Sequence, residues 1–178
     1  MKPKQRMVIG LTGQAYSGKT TAAKYLEGKG FKRIAFADAL KDLVIEYCGI
    51  TAEDAYINKP PHVRTLLQGI GSLIREHFDE HYFLHEMINR IRYSDAILFV
   101  IDDVRFANEA DIIKQMGGTI IRMECPDSPY KLTEAQQDHT SEQTSNVVAD
   151  HIISAGYGNL ESIADQIETI FTEQTASA

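Results

Sequence analysis

The segment "IGLTGQAYSGKTTAAKYL", residues 9–26, constrains the fold more than any other part of the chain. A short apolar run enters a glycine-rich turn and leaves as a helical pattern, which dictates strand, tight loop and helix in that order. Within it, Gly13-Gln14-Ala15-Tyr16-Ser17-Gly18-Lys19-Thr20 matches G-x-x-x-x-G-K-[ST] at every fixed position. Each residue type has a physical reason. Glycines let the backbone curl so that successive N–H groups point at an anion, and the following helix adds the positive end of its dipole. A lysine at this place reaches the β- and γ-phosphates of a nucleoside triphosphate, and the threonine hydroxyl ligates Mg²⁺. The expected triphosphate-binding residues are therefore Gly13, Ala15, Tyr16, Ser17, Gly18, Lys19, Thr20 and Thr21, with Thr20 also a metal ligand.

The 178 residues suit one domain with a sizeable core, and 43% hydrophobic with 24% charged residues is an ordinary globular balance. No apolar run approaches the length of a membrane span, and "MKPKQRMVIGL" lacks the apolar core and cleavage site of a secretory leader. Cys48 and Cys125 form no CxxC pair, so a reduced, cytoplasmic protein is expected, with Cys48 a buried helix residue. The net charge is −7, nine of the 18 Lys and Arg residues lie in the first 41 positions, and none lies beyond Leu132. Such a chain is poorly suited to sequence-independent nucleic-acid binding, which needs a basic surface. A small phosphorylated substrate held by a few placed cations is the better expectation, in a monomer or a homodimer.

The periodicity predicts strand 7–12, helix 18–28, strand 32–36, helix 38–48, loop 49–61 and helix 62–77. A helix near 80–93 follows, then strand 96–101, helix 106–116, strand 118–124, a polar segment 126–146, strand 149–153 and helix 159–172. Alternating strands and helices indicate an α/β fold, with a five-stranded, mostly parallel sheet covered on both faces. The expected organisation is a single domain with a core of 7–48 and 95–173. A helical substrate-binding region spans about 50–93, and a lid about 126–146.

Ligands of such sheets bind beyond the carboxyl ends of the strands, so residues just after strands carry the most weight. Asp38 opens a helix after "RIAF", either as a cap or opposite Lys19 near metal or acceptor. In "AILFVIDDVRFANEA", Asp102 and Asp103 end a buried strand, where a Mg²⁺-holding carboxylate sits, and Arg105 can face the same crevice. Asn108 and Glu109 are expected to cap the next helix. In "HVRTLLQGIGSLIREHF", Val63, Leu66, Leu67, Ile70, Leu73, Ile74 and Phe78 make an apolar stripe. Arg64, Gln68 and Arg75 share another face suited to a monophosphate, with Gly71 leaving room for a ligand. The polar segment, whose cations are Lys131 and in part His139, reads as a lid that excludes water. Tyr56, Phe78, Tyr82 and Phe83 are candidates for stacking on a base.

Taken in order, "GQAYSGKTT", "FADALK", "RTLLQGIGSLIREHFDEHYF", "IDDVRFANEA", "GGTIIRMECP", "DHTSE" and "ADHIISAGYGNLESI" resemble the P-loop deoxynucleoside monophosphate kinases of phages and prophages, across about residues 8–171. The resemblance implies a P-loop kinase fold and transfer of the γ-phosphoryl group of ATP, with Mg²⁺, to a deoxynucleoside 5′-monophosphate. It implies Lys19, Asp38 and Arg105 as the catalytic set and Thr20 with Asp103 at the metal. It assigns Asp38, Lys41, Arg64, Gln68, Arg75, Asp103, Arg105, Ser141 and Glu142 to the substrate. The residues alone leave the acceptor open. Phosphomevalonate suits the arginines equally, an alcohol such as dephospho-coenzyme A would need a carboxylate base, and a non-catalytic triphosphate-binding regulator would need no acceptor.

Overall fold

The computed structural model describes residues 6–130 and 144–176. Its contacts divide the chain into two compact units, Met1–Arg33 with Asp95–Ala178, and Ile34–Ser94. Among the described residues no helix is long and apolar enough to cross a membrane.

The first unit is built on a sheet of β1 (Met7–Thr12), β2 (Lys32–Ile34), β3 (Leu98–Ile101), β4 (Thr119–Glu124) and β5 (His151–Ser154). The strand order is β2-β3-β1-β4-β5. The pairings of β1 with β3, β1 with β4 and β4 with β5 are all parallel, with Ile9 opposite Val100 and Thr119, and Met123 opposite Ile153. As the central strand, β1 buries Val8, Ile9 and Leu11, which is why its sequence is continuously apolar rather than alternating.

One face of the sheet packs on α1 (Lys19–Gly28) and α6 (Leu160–Ala176). Ala22, Ala23 and Leu26 join Ile163, Ile167 and Ile170 in one cluster with Ile9, Leu11, Val100, Ile121, Met123 and Ile153. The opposite face takes α5 (Ala107–Gln115). The approach there is close: a Cβ on Gly10 would lie 2.7 Å from Ile120 Cδ1 and 2.9 Å from Ile113 Cδ1. The result is a parallel sheet covered on both faces, as the alternation of elements predicts.

The strand expected at 32–36 stops at Ile34. The backbone N–H of Ala35 donates to Asp38 Oδ2 at 2.8 Å, and Asp38 N–H donates to Ala35 O at 3.1 Å. The two bonds close a turn that ends the extended run two residues early and starts the helix.

The second unit holds α2 (Asp38–Cys48), a single π-helical turn (Asp54–Asn58), α3 (Pro61–His77) and α4 (Tyr82–Arg92). The π-helical turn falls within the stretch expected to be loop. Around α2 pack the π-turn, α3 and α4. The apolar stripe of α3 is only partly covered: Val63 is buried, whereas Leu73 and Phe78 are exposed. A helix of 17 residues spans about 26 Å and its neighbour α2, with 11, only about 17 Å. Cys48 is exposed rather than buried. The buried face of α2 runs through Leu40, Lys41 and Val44, and Cys48 sits a turn later as the last helical residue, before the left-handed cap Gly49.

Candidate active site

The loop from Gly13 to Thr20 joins β1 to α1 inside the first unit. Gly13 adopts φ 129° and Gly18 φ 95°, and Tyr16 reaches φ 64° in spite of its side chain. A left-handed non-glycine residue costs about 1–2 kcal/mol and marks a backbone held by its surroundings. Helix α1 begins directly after Gly18, whose carbonyl accepts from Ala22 N–H at 2.9 Å. The ammonium of Lys19 lies folded against the loop, donating to Gly13 O at 2.7 Å and Gln14 O at 2.6 Å, with Ser17 Oγ at 3.5 Å. The backbone N–H groups of such a curl, the helix dipole and a pinned lysine make an anion site. Thr20 lies exposed in the first turn of α1.

At the carboxyl end of β3, Asp102 is 6% exposed. Its Oδ2 accepts from Arg33 Nε at 2.8 Å. Its Oδ1 is buried with no hydrogen-bond partner among the described residues, as is Thr12 Oγ1 at the end of the neighbouring strand β1. A buried carboxylate oxygen left without a donor is costly. A hydrated divalent cation supplies both the charge and the donors it lacks, so this donor set fits Mg²⁺. Asp103 is half-buried beside it. No local sequence signal marks Arg33 as this partner, because nothing local tells that β2 lies next to β3.

Two residues on, the backbone is fixed by Glu109, which is 2% exposed. Its Oε2 accepts from the N–H groups of Arg105 at 2.8 Å and Phe106 at 3.1 Å, so the carboxylate reaches back over the start of α5 as expected. Arg105 is thereby held directly after Val104, whose N–H donates to Leu11 O at 3.2 Å. Glu109→Ala is expected to cost about 1–2 kcal/mol by removing the acceptor shared by two part-buried N–H groups. Glu109→Gln, which keeps one acceptor oxygen, is expected to lose less, with urea unfolding as the measurement.

The other expected residues belong to the second unit. Asp38 and Lys41 are neighbours on α2, with Lys41 Nζ 3.5 Å from Asp38 Oδ1. On α3, Arg64 Nε donates to Lys59 O at 2.7 Å and Gln68 is exposed. Arg75 Nη1 donates to Gly71 O at 3.4 Å, and its guanidinium lies 4.6 Å from the Phe83 ring centroid. Gly71 serves the chain rather than a ligand: a Cβ there would sit 3.2 Å from Leu40 Cδ2 and 3.3 Å from Arg75 Nη1. Phe83 is buried beneath that arginine, so it is not a base-stacking surface. The ring of Tyr56 is also engaged, with Lys41 Nζ 4.5 Å from its centroid.

Ser141, Glu142, Lys131 and His139 lie outside the described residues. Both flanks of that stretch are anchored in the first unit. Tyr130 packs on Tyr16 of the loop and on Tyr157, with ring centroids 5.3 Å and 5.8 Å apart. Asp127 Oδ1 accepts from Tyr157 N–H at 2.8 Å. On the far side, Arg122 Nη2 donates to Val147 O at 2.6 Å and Thr144 O at 3.1 Å.

The sequence profile described as deoxynucleotide monophosphate kinase matches residues 46–167. The chain belongs to the deoxynucleotide monophosphate kinase family. A protein of Acanthamoeba polyphaga mimivirus named "Putative deoxynucleotide monophosphate kinase" is 35% identical over 146 residues, covering 67% of this chain and 75% of that one. Among solved structures, TT1252 from Thermus thermophilus superposes with a TM-score of 0.59 at 17% identity, covering 96% of this chain and 98% of that one. Shikimate kinase from Aquifex aeolicus gives 0.55 at 13%, covering 97% and 100%. At such identities these two report the shared P-loop kinase fold. A chain of this family is an ATP-dependent kinase, and its loop retains every fixed position of the phosphate-binding motif.

Proposed function

We propose that the chain, as a single kinase domain, transfers the γ-phosphoryl group of ATP to a deoxynucleoside 5′-monophosphate, giving the diphosphate and ADP. What carries the reading is the family match over 46–167 in a chain whose Gly13–Thr20 loop is intact. Gly13, Ala15, Tyr16, Ser17, Gly18, Lys19, Thr20 and Thr21 hold the ATP phosphates through backbone N–H groups, the lysine ammonium and the start of α1. Mg²⁺, held by Thr20 with Asp103 and the partnerless Oδ1 of Asp102, would neutralise charge on the β- and γ-phosphates. Arg105, fixed by Glu109, adds a cation for the charge that builds on the transferred group.

The acceptor is assigned to Lys41, Arg64, Gln68 and Arg75 in the second unit; Ser141 and Glu142, which lie outside the described residues, are assigned to the same substrate. Guanidinium groups suit a monophosphate, because a planar fork meets two oxygens at once. The engagement of Asp38 supports a phosphate rather than an alcohol acceptor. One of its oxygens accepts from Ala35 N–H and the other faces Lys41, and a carboxylate so occupied is a poor base for a hydroxyl proton. A monophosphate oxygen needs no base, since its second pKa is about 6. Asp38 then acts as the partner that orients Lys41. The acidic net charge of −7 supports a small-molecule substrate without nucleic acid; the chain is proposed to act in the cytoplasm as a monomer or homodimer.

The test is ADP release with ATP and Mg²⁺ against dAMP, dCMP, dGMP, dTMP, dUMP and 5-hydroxymethyl-dCMP, their ribose forms, phosphomevalonate and dephospho-coenzyme A. Turnover confined to deoxynucleotides is the expected result and names the base. Turnover only with phosphomevalonate or an alcohol would keep the kinase and discard the acceptor.

A further inference from the structure

Lys41 carries a cation into the interior of the second unit, where it is 7% exposed. Its carboxylate partner Asp38 lies 3.5 Å away, long for a charge-assisted hydrogen bond, and that carboxylate is already shared with Ala35 N–H. The other neighbour of the ammonium is the face of Tyr56, 4.5 Å from the ring centroid. A π face attracts a cation without accepting its protons along a lone pair. It can therefore hold Nζ in place while leaving N–H groups for an anion.

The ring itself is fixed. Tyr56 Oη donates to Asp42 Oδ1 at 3.1 Å, and Asp42 Oδ2 accepts from Arg90 Nη2 at 2.6 Å. Burial first, then the negative charges of Asp38 and Asp42, push the Tyr56 phenol well above its ordinary range, which keeps it a neutral donor to Asp42. The chain of contacts runs from Arg90 on α4, through Asp42 on α2, to the π-helical turn that carries Tyr56, and back to Lys41 on α2. That turn presents the aromatic face to the lysine. Neither the family match nor the relatives assign Tyr56, Asp42 or Arg90.

We infer that Tyr56, braced by Asp42 and Arg90, is the positioning residue for the Lys41 ammonium, setting it to meet the phosphate of the acceptor. The inference rests on the proposed role of Lys41 toward that monophosphate. It also withdraws Tyr56 from the set of base-stacking candidates, because the face that meets Lys41 is spoken for.

The experiment uses the full chain and four variants: Tyr56→Phe, Tyr56→Met, Lys41→Met and the double variant Tyr56→Met with Lys41→Met. With the best deoxynucleotide of the panel, Tyr56→Met is expected to raise KM for the monophosphate about tenfold, with KM for ATP unchanged. Tyr56→Phe, which keeps the ring and loses only its bond to Asp42, is expected to raise that KM about two- to threefold, well short of Tyr56→Met. On the Lys41→Met background, Tyr56→Met is expected to add nothing further. Equal kinetics for Tyr56→Phe and Tyr56→Met, or a loss that multiplies with that of Lys41→Met, would overturn the inference. A second readout needs no acceptor. In ¹H–¹³C spectra the ε-methylene of Lys41 is expected upfield, shifted by the ring current, in the parent and in Tyr56→Phe. An unshifted parent signal would overturn the inference whatever the acceptor proves to be. Silence of the whole acceptor panel with the shift present would overturn the proposed function and leave the Lys41–Tyr56 contact standing.

Discussion

Lys19→Met is expected to lower kcat about 10²–10³-fold while leaving the fold intact. In the resting loop the ammonium makes its short contacts with Gly13 O at 2.7 Å and Gln14 O at 2.6 Å. Those carbonyls lie at a partly solvated rim, so water replaces the lysine and the melting temperature should change little. On the proposed mechanism the loss falls on the transition state, where the loop's fixed cation is to face charge on the transferring phosphoryl group. Removing one such preorganised donor typically costs about 10²–10³ in rate. Lys19→Arg is expected to fail as well, because a planar fork is wider than an ammonium held between two carbonyls a residue apart. Saturating ADP-release kinetics beside a thermal melt and a fluorescent ATP-analogue titration separate the effects. Full turnover in Lys19→Met would remove the loop from the chemistry and leave a triphosphate-binding protein whose catalysis lies elsewhere.

What could be read from the sequence follows from how local each feature is. The path β1–loop–α1 is encoded within 22 residues: an apolar strand, two glycines at positive φ and a lysine reaching back over its own loop. β2 ends two residues before its apolar pattern does, because the Ala35 N–H donates to the Asp38 side chain in competition with the strand ladder. The pairing of Arg33 with Asp102 was out of reach, because it depends on β2 and β3 being neighbours across 69 positions of sequence. Between Asp102 and Asp103, only burial and the lone oxygen of Asp102 tell which carboxylate is turned inward. Gly71 gives the opposite lesson. A glycine between two candidate ligands reads as room for substrate, yet Leu40 and Arg75 already fill that room. Helical spacing placed Arg64, Gln68 and Arg75 on α3 correctly. It could not show that Arg75 lies over Phe83, which makes part of its charge structural.

Gly13→Ala is expected to be among the most damaging single substitutions in the chain, and Gly117→Ala supplies the measure of why. Both glycines have positive φ, 129° and 76°, so each alanine bears a backbone cost of about 1–2 kcal/mol. At Gly117 nothing lies within 4 Å of the added Cβ, and that cost is the whole effect. At Gly13 the Cβ would fall 2.4 Å from Met123 O and 2.9 Å from Ser17 Oγ. The serine can turn away, but Met123 is held in β4, paired in register with Ile153 of β5. Relief therefore requires moving the loop off the sheet, which raises the total to about 4 kcal/mol or more. At about 2–4 °C per kcal/mol for a chain of this size, Gly117→Ala should melt a few degrees low with ATP-analogue binding retained. Gly13→Ala should melt about 8–16 °C low and lose that binding, since the displaced N–H groups are the ones proposed to face the phosphates. Equal shifts in the two variants would mean that the loop does not rest on the β4 carbonyl. The site's first glycine would then be there for conformational freedom alone, rather than for the close approach that fixes the phosphate cradle to the sheet.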